Sequence, residues 1–344
     1  MENKSGFGRV LLVILCIVLG LILAALIAGT VYANYLLGLM NRAEDIPQET
    51  LTQEQIDAIL KEETHADDET EGTIVNEEDV DWGEQEGEVI ESGHNIINIL
   101  LIGQDARPGQ ARSRSDSMIL VTFNKAEKTI TMTSFLRDIY VKIPGYYNTK
   151  LNAAYALEGM KLLNETLEVN FGVQVDGNVE VDFSRFPEVI DLLGGVDMEL
   201  RADEARYINE WTKRNELTEG MQHLDGAQAL EYSRIRKLDA DADFSRTNRQ
   251  RKVLNSLIEK FRNTKMTTLL GLLDDMLPMI TTDMDNEEII KYAKELFPML
   301  ADCTVVSQRI PADGEYYLGM IDKISYIMAD MDAARELLKQ TMGN

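Results

Sequence analysis

From Val10 to Asn41 the chain carries no charged residue, and the run VLLVILCIVLGLILAALIAGTVYANYLLGLM is overwhelmingly apolar. About 20 such residues span a hydrocarbon core, whereas the apolar region of a cleaved leader is about 7–15 residues long. Residues 10–40 therefore read as an uncleaved transmembrane helix. Lys4 and Arg9 precede it, while Arg42 is followed at once by Glu44 and Asp45. An excess of cations marks the cytoplasmic side, so residues 1–9 are expected in the cytoplasm. The chain then reads as a single-pass protein of the cell membrane, with everything after the helix extracytoplasmic.

The formal net charge is −25, but it is unevenly spread: between Glu44 and Glu91 nineteen acidic residues face the single Lys61. Residues 41–93 have few apolar positions with which to offset the cost of ordering, and read as an acidic flexible linker. Within it, LTQEQIDAILKEE has the spacing of a short amphipathic helix, although little is evident for it to pack on. The remainder, residues 94–344, is near charge balance, which argues against a nucleic-acid partner. The two cysteines, Cys16 and Cys303, lie far apart and supply no disulfide framework. Neither H-E-x-x-H, C-x-x-C nor a P-loop pattern occurs, which argues against zinc hydrolysis and P-loop chemistry.

NIINILLIGQDA is a nearly continuous apolar run ending at Gly103 and Asp105, the pattern of a strand buried on both faces that stops at a polar site. DSMILVTFN and KTITMTSFLRDIYVKI follow as strands, LNAAYALEGMKLLNETLE as a helix, and GNVEVDFSRFPEVIDLLGGVDMEL as strand, helix and strand. From Asp225 onward the pattern is mainly helical. The expected fold is a single α/β domain, an α-β-α sandwich with a mixed sheet. Methionines in the C-terminal quarter read as core, with an apolar groove for lipid as the alternative.

The segment ALEYSRIRKLDADADFSRTNRQRK packs five arginines and two lysines into residues 229–252. Stepping back by three or four from Val253 along the stripe Val253, Leu254, Leu257, Ile258 and Phe261 reaches Gln250, Arg249 and Arg246, so the apolar face begins in arginine. Asp243 or Ser245 would cap this helix. Upstream, Arg234 and Arg236 flank Ile235 and would share one side of an extended chain. Buried guanidinium groups need partners. Either the local Asp239, Asp241 and Asp243 supply them, or an anion does, and the planar fork of arginine matches phosphate oxygens two at a time. Asp105 and Asp116 bracket a loop holding Arg107, Arg112 and Arg114, and SFLRDIY brings Arg137 and Asp138. Two carboxylates and a phosphate oxygen suit Mg²⁺; ordinary loop aspartates are the alternative.

Taken in order, NILLIGQDAR, RSDSMILVTFN, SFLRDIYVKIPG, KLNAAY, LLGGVDMEL, LDGAQALEYSRIRK and DADFSRTNRQRKVL resemble the LytR-CpsA-Psr family of bacterial cell-envelope enzymes. The resemblance implies a phosphotransferase that takes a glycopolymer from an undecaprenyl-pyrophosphate carrier and joins it by a phosphodiester to peptidoglycan. It places metal-binding aspartates on Asp105 and Asp116, for Mg²⁺ with Mn²⁺ as an alternative. Pyrophosphate-binding positions fall on Arg114, Arg137, Arg234, Arg236, Arg246 and Gln250, with Arg107 as a helper and Lys150 and Asn152 toward the head group. Arg137 and Arg246 would stabilise charge, and Asp138 or Asp243 would serve as base. Arg112, Arg249 and Arg251 match less clearly, leaving a salt-bridged role equally open. Leu136 stands where the family often has proline. A non-catalytic receptor for anionic lipid or polymer, and a pyrophosphatase with water as acceptor, remain as rival readings.

Overall fold

A computed structural model describes residues 30–46, 51–61, 72–84, 87–104, 112–182, 185–235, 238–239, 242–263, 266–300 and 302–343. Residues 10–29 of the expected membrane helix, together with Asp105, Arg107 and Arg236, lie outside the described residues, as does the side chain of Asp243. Among the described residues no helix is long and apolar enough to cross a membrane. The chain divides into two compact units. One is drawn from Met1–Asp45, Leu101–Ala106 and Gly177–Cys303, the other from Ile46–Leu100, Arg107–Asp176 and Thr304–Asn344. Strands and helices mix in both, as the sequence pattern predicts.

In the second unit, Ser115–Asn124 and Thr129–Phe135 form an antiparallel pair, with Asn124 opposite Thr129 and Met118 opposite Phe135. Thr304–Ile310 joins the far side of Thr129–Phe135 in parallel, which makes the sheet mixed. Strand Ile96–Gln104, whose residues up to Leu100 belong to this unit and whose remainder belongs to the first, is buried along its whole length, as its nearly continuous apolar run requires. Helices Asn152–Glu158 and Met160–Phe171 pack together, and Met331–Met342 lies against the latter. Its Arg335 is 1% exposed and donates to the carbonyl of Asn170 at 2.9 Å, closing the C-terminal end of Met160–Phe171.

The acidic segment is not the uniform tether its charge suggests. Trp82 stacks on Tyr140 with ring centroids 5.7 Å apart, Thr73–Ile74 pairs in parallel with the Tyr316–Ile321 strand, and the Ile90 N–H donates to Gly172 at 2.7 Å. Val75, Val80, Trp82 and Ile90 are spaced widely enough to escape a composition count, yet each finds a surface on this unit. The amphipathic helix forms as Gln53–Lys61 and does have a seat, with Leu60 buried and the Ile59 carbonyl accepting from Arg114.

In the first unit, Gly177–Asp182 runs antiparallel to Ile280–Thr282, which also carries Asn41–Arg42 in parallel on its other side. Val196–Leu200 pairs antiparallel with Gly220–Leu224 and alternates buried and exposed residues. The expectation of a mainly helical region after Asp225 is corrected by Ile280–Thr282, Thr304–Ile310, Tyr316–Ile321 and Ile324–Ala329, all strands. Thr304–Ile310 is half-exposed and polar along much of its length, so pairing rather than apolar patterning makes it a strand. Met276, Met279, Met284 and Met299 are buried, in line with the core reading.

The helices that carry the arginines are fixed by close packing. Asp225 caps Gly226–Arg234, accepting from the Gln228 N–H at 2.9 Å while the Gln228 side chain accepts from the Asp225 N–H at 3.0 Å. That helix packs on Phe186–Leu192, and a Cβ at Gly226 would run into the Pro187 carbonyl. Because the obstacle is backbone, Gly226→Ala is expected to cost about 1–3 kcal/mol. The check is a lower midpoint of urea unfolding with an unchanged slope.

Candidate functional site

The second unit gathers four of the expected residues into one buried network. Strand Thr129–Phe135 is followed by Leu136, and the turn after it presents Arg137 and Asp138 side by side. Arg137 Nη1 lies 3.1 Å from Asp116 Oδ1, Arg137 Nε lies 3.3 Å from Asp138 Oδ2, and Lys150 Nζ lies 2.9 Å from Asp138 Oδ1. All four side chains are 15% exposed or less, and their signs alternate from Asp116 to Lys150. Burying ions in this way contributes little net stability, since desolvation offsets the attraction. Arg114 reaches the same neighbourhood from the start of Ser115–Asn124 and donates to the Ile59 carbonyl. Asn152 is fully buried, its N–H donates to the Arg137 carbonyl at 3.2 Å, and neither its Oδ1 nor its Nδ2 has a hydrogen-bond partner.

The first unit holds the other set. Helix Ala242–Asn263 buries Arg246, Arg249 and Gln250 at 2%, 3% and 3% exposure, on the stripe that continues into Val253, Leu254 and Leu257. The helical spacing thus places them where the sequence reading did. The helix begins at Ala242, however, so Asp243 and Ser245 sit inside its first turns and neither caps it. At Arg234 the preceding helix ends, and Ile235 leaves it with φ −58° and ψ 124°, in an extended direction. Arg234 donates to Glu231 at 3.0 Å.

Arg249 is resolved as a structural cation. Its Nε donates to Glu204 Oε1 at 2.8 Å, its Nη1 to the Ile235 carbonyl at 3.2 Å and its Nη2 to Asp239. Arg201 adds a 2.8 Å bond to Asp239. Burial pushes the Asp239 carboxyl up, but Arg201 and Arg249 together outweigh it and hold the group below its usual range. Tyr232 is fully buried, and burial first, then the nearby Glu204, raises its hydroxyl above the ordinary tyrosine range. Glu204 had no role in the sequence reading: nothing local marks a carboxylate 45 positions from its arginine.

What remains in the first unit is a set of buried donors. Arg234 Nε and Nη2, Gln250 Nε2 and the Tyr232 hydroxyl have no hydrogen-bond partner. A buried donor without an acceptor costs about 1–3 kcal/mol, and a ligand rich in acceptor oxygens is one way to satisfy such donors. No group of three or more His, Cys, Asp or Glu is gathered among the described residues. Asp116 is a hard oxygen donor that accepts from Arg137 at 3.1 Å. That chemistry fits a cation that takes few protein ligands and keeps waters, rather than a fully caged metal.

The model of the LytR_cpsA_psr family matches residues 53–342. The chain is 36% identical over 214 residues to the polyisoprenyl-teichoic acid–peptidoglycan teichoic acid transferase TagT of Bacillus subtilis, a stretch covering 60% of this chain and 65% of TagT. It is 37% identical to the regulatory protein MsrR of Staphylococcus aureus, over 51% of this chain and 52% of MsrR. The chain therefore matches at most about two thirds of the length of these curated relatives. Among solved structures, TagT bound to LIIa-WTA superposes with a TM-score of 0.61 at 30% identity, covering 77% of this chain and 97% of that one. A structure of TagT with bound octaprenyl pyrophosphate lipid gives a TM-score of 0.56 at 28% identity, covering 77% and 99%.

The two kinds of arginine separate by stability. Arg249→Ala leaves Glu204 buried without its guanidinium and is expected to cost about 3–5 kcal/mol, whereas Arg234→Ala leaves stability unchanged or slightly raised; urea titrations of both variants check this. The Asp239 contribution is present above the ordinary carboxylate range, near pH 4, and is lost as pH falls through the lower folded value. Asp239→Asn is expected to be less stable at neutral pH and to lose less on acidification, as read from unfolding midpoints across pH.

Proposed function

Because the chain belongs to the LytR_cpsA_psr family, we propose that it is a phosphotransferase that moves a glycopolymer from an undecaprenyl-pyrophosphate carrier to peptidoglycan. The observation that carries this reading is the set of buried donors without acceptors, Arg234 Nε and Nη2 and Gln250 Nε2, beside a buried Arg249 that is matched at Nε, Nη1 and Nη2. Pyrophosphate supplies many acceptor oxygens, and arginine binds them in pairs. The names of TagT, a teichoic acid transferase, and of its complex with octaprenyl pyrophosphate support the same chemistry.

In this reading Arg114, Arg137, Arg234, Arg236, Arg246 and Gln250, with Arg107, bind the pyrophosphate. Lys150 and Asn152 bind toward the head group. A sugar hydroxyl of peptidoglycan attacks the phosphorus that carries the glycopolymer. The new P–O bond forms as the bond to the bridging oxygen breaks, and prenyl phosphate leaves. Charge grows on non-bridging and leaving oxygens, where prepositioned guanidinium groups act without reorganisation. Asp138 is already committed to Arg137 and Lys150. It therefore serves to position those cations, which leaves Asp243 to receive the hydroxyl proton. Asp105 and Asp116 would hold Mg²⁺ or Mn²⁺, whose chemistry when bound is to neutralise pyrophosphate oxygens. Residues 10–40 anchor the chain in the cell membrane, with the catalytic region extracytoplasmic. The donor's own pyrophosphate bond supplies the driving force there. The finer fold expectation, one α-β-α sandwich, belongs to the same proposal.

The name of MsrR, a regulatory protein, gives the receptor reading an observation of its own. The test is to supply the full chain with a prenyl-pyrophosphate-linked oligosaccharide, peptidoglycan fragments and Mg²⁺, and to follow products by mass spectrometry. Transfer predicts phosphate-linked conjugate and prenyl phosphate in equal amounts. Arg234→Ala should reduce turnover by about 10²-fold or more at unchanged stability, and Asp105→Ala should stop it while lipid binding weakens only in part. Phosphorylated glycan without conjugate would point to a hydrolase, and binding without any product to a receptor.

A further inference from the structure

The residues that leave the long apolar run are built into the first unit. Helix Thr30–Leu37 closes on Gly38, whose N–H donates to the carbonyls of Asn34 and Tyr35 at 3.0 and 3.1 Å. Leu36, Leu37 and Met40, although part of that run, are 1%, 2% and 6% exposed. Asn41–Arg42 then becomes an edge strand, with Asn41 beside Thr281 and Arg42 beside Thr282. The Asn41 side chain donates to the carbonyls of Pro278 and Ile280, both at 3.1 Å. Arg42 holds the Met284 carbonyl and the Asn286 side chain, and also reaches the Leu37 carbonyl at 3.3 Å. One guanidinium thus ties the last turn of the helix to the segment ahead of helix Asn286–Leu300.

Length then limits where a bilayer can be. Val10–Tyr35 counts 26 residues, and at about 1.5 Å per residue a helix of that size is roughly 39 Å long. A hydrocarbon core is about 30 Å thick, and about 40–45 Å with both head-group layers. On the anchor reading such a span would end near Tyr35, and the next apolar residues, Leu36, Leu37 and Met40, are packed in protein. Tyr35 itself is 58% exposed, and tyrosine at the end of a span suits the head-group level. We propose that the first unit docks directly on the lipid head-group layer through the exposed Asn34, Tyr35 and Pro278, held at that height by the Asn41–Arg42 staple. This rests on the anchor reading above and replaces a swinging tether with a fixed attachment for this unit. A carrier lipid would then be met at the membrane surface.

The experiment uses the full chain with Cys16→Ser, Cys303→Ser and Glu287→Cys, labelled with a fluorophore and reconstituted in phosphatidylcholine vesicles with or without head-group nitroxide lipid. Docking predicts strong quenching at position 287. Inserting a spacer of about twelve Gly and Ser residues ahead of Leu36, which spans roughly 20 Å, should reduce that quenching several-fold while leaving the staple intact. Carbonate extraction of the same samples reports the anchor separately. A chain that stays with the membrane but shows no quenching overturns docking and leaves the anchor standing. Equal quenching with and without the spacer overturns the staple as the source of the height, and release by carbonate removes the anchor and the docking together.

Discussion

A guanidinium group inside a protein has to be matched, because it cannot shed its proton to escape the cost of burial. The structure meets this requirement in three ways. Arg335 is turned onto the carbonyls at the end of a helix. Arg249 and Arg137 are set against carboxylates, Glu204 with Asp239 and Asp116 with Asp138. Arg234 meets it only in part, through Glu231, and keeps two nitrogens without an acceptor. The unmatched remainder is of the kind that an oxygen-rich, negatively charged ligand would satisfy.

Much of this was legible in the sequence, for a simple reason. A helix repeats every 3.6 residues, so Arg246, Arg249 and Gln250 had to share a face with Val253, Leu254 and Leu257, and all are buried. What spacing could not show was which arginine already had a partner. Glu204 lies on another helix and Asp116 on another strand, 45 and 21 positions from the arginines they bind. Pairing of that kind is decided by tertiary structure alone. The order of the motifs carried the family, and the match over residues 53–342 agrees with it.

Composition misled where a few residues outweighed many. The stretch after Glu44 is so acidic that its sum suggests solvated coil, yet Trp82 on Tyr140 and Ile90 beside Gly172 seat parts of it on the second unit. Even an acid helps here, since Glu77 accepts from the Tyr140 hydroxyl and the Asn148 amide, each at 3.0 Å. The late strands were hidden for the opposite reason. Thr304–Ile310 has no apolar run to announce it and owes its conformation to seven paired positions along Thr129–Phe135.

The choice of arginine over lysine follows from geometry as well as charge. Arg249 uses three nitrogens to reach a carboxylate, a carbonyl and a second carboxylate, and Arg137 donates from Nη1 to Asp116 while its Nε lies 3.3 Å from Asp138. A lysine is a single point charge on a flexible stem and cannot hold such partners in fixed directions. Lys150 meets Asp138 as such a point charge. Wherever one buried cation must join several acceptors at set angles, the fork is required. The same rigidity that joins carboxylates within the fold is what would orient a diphosphate, so an Arg234→Lys exchange keeps the charge and loses the fork.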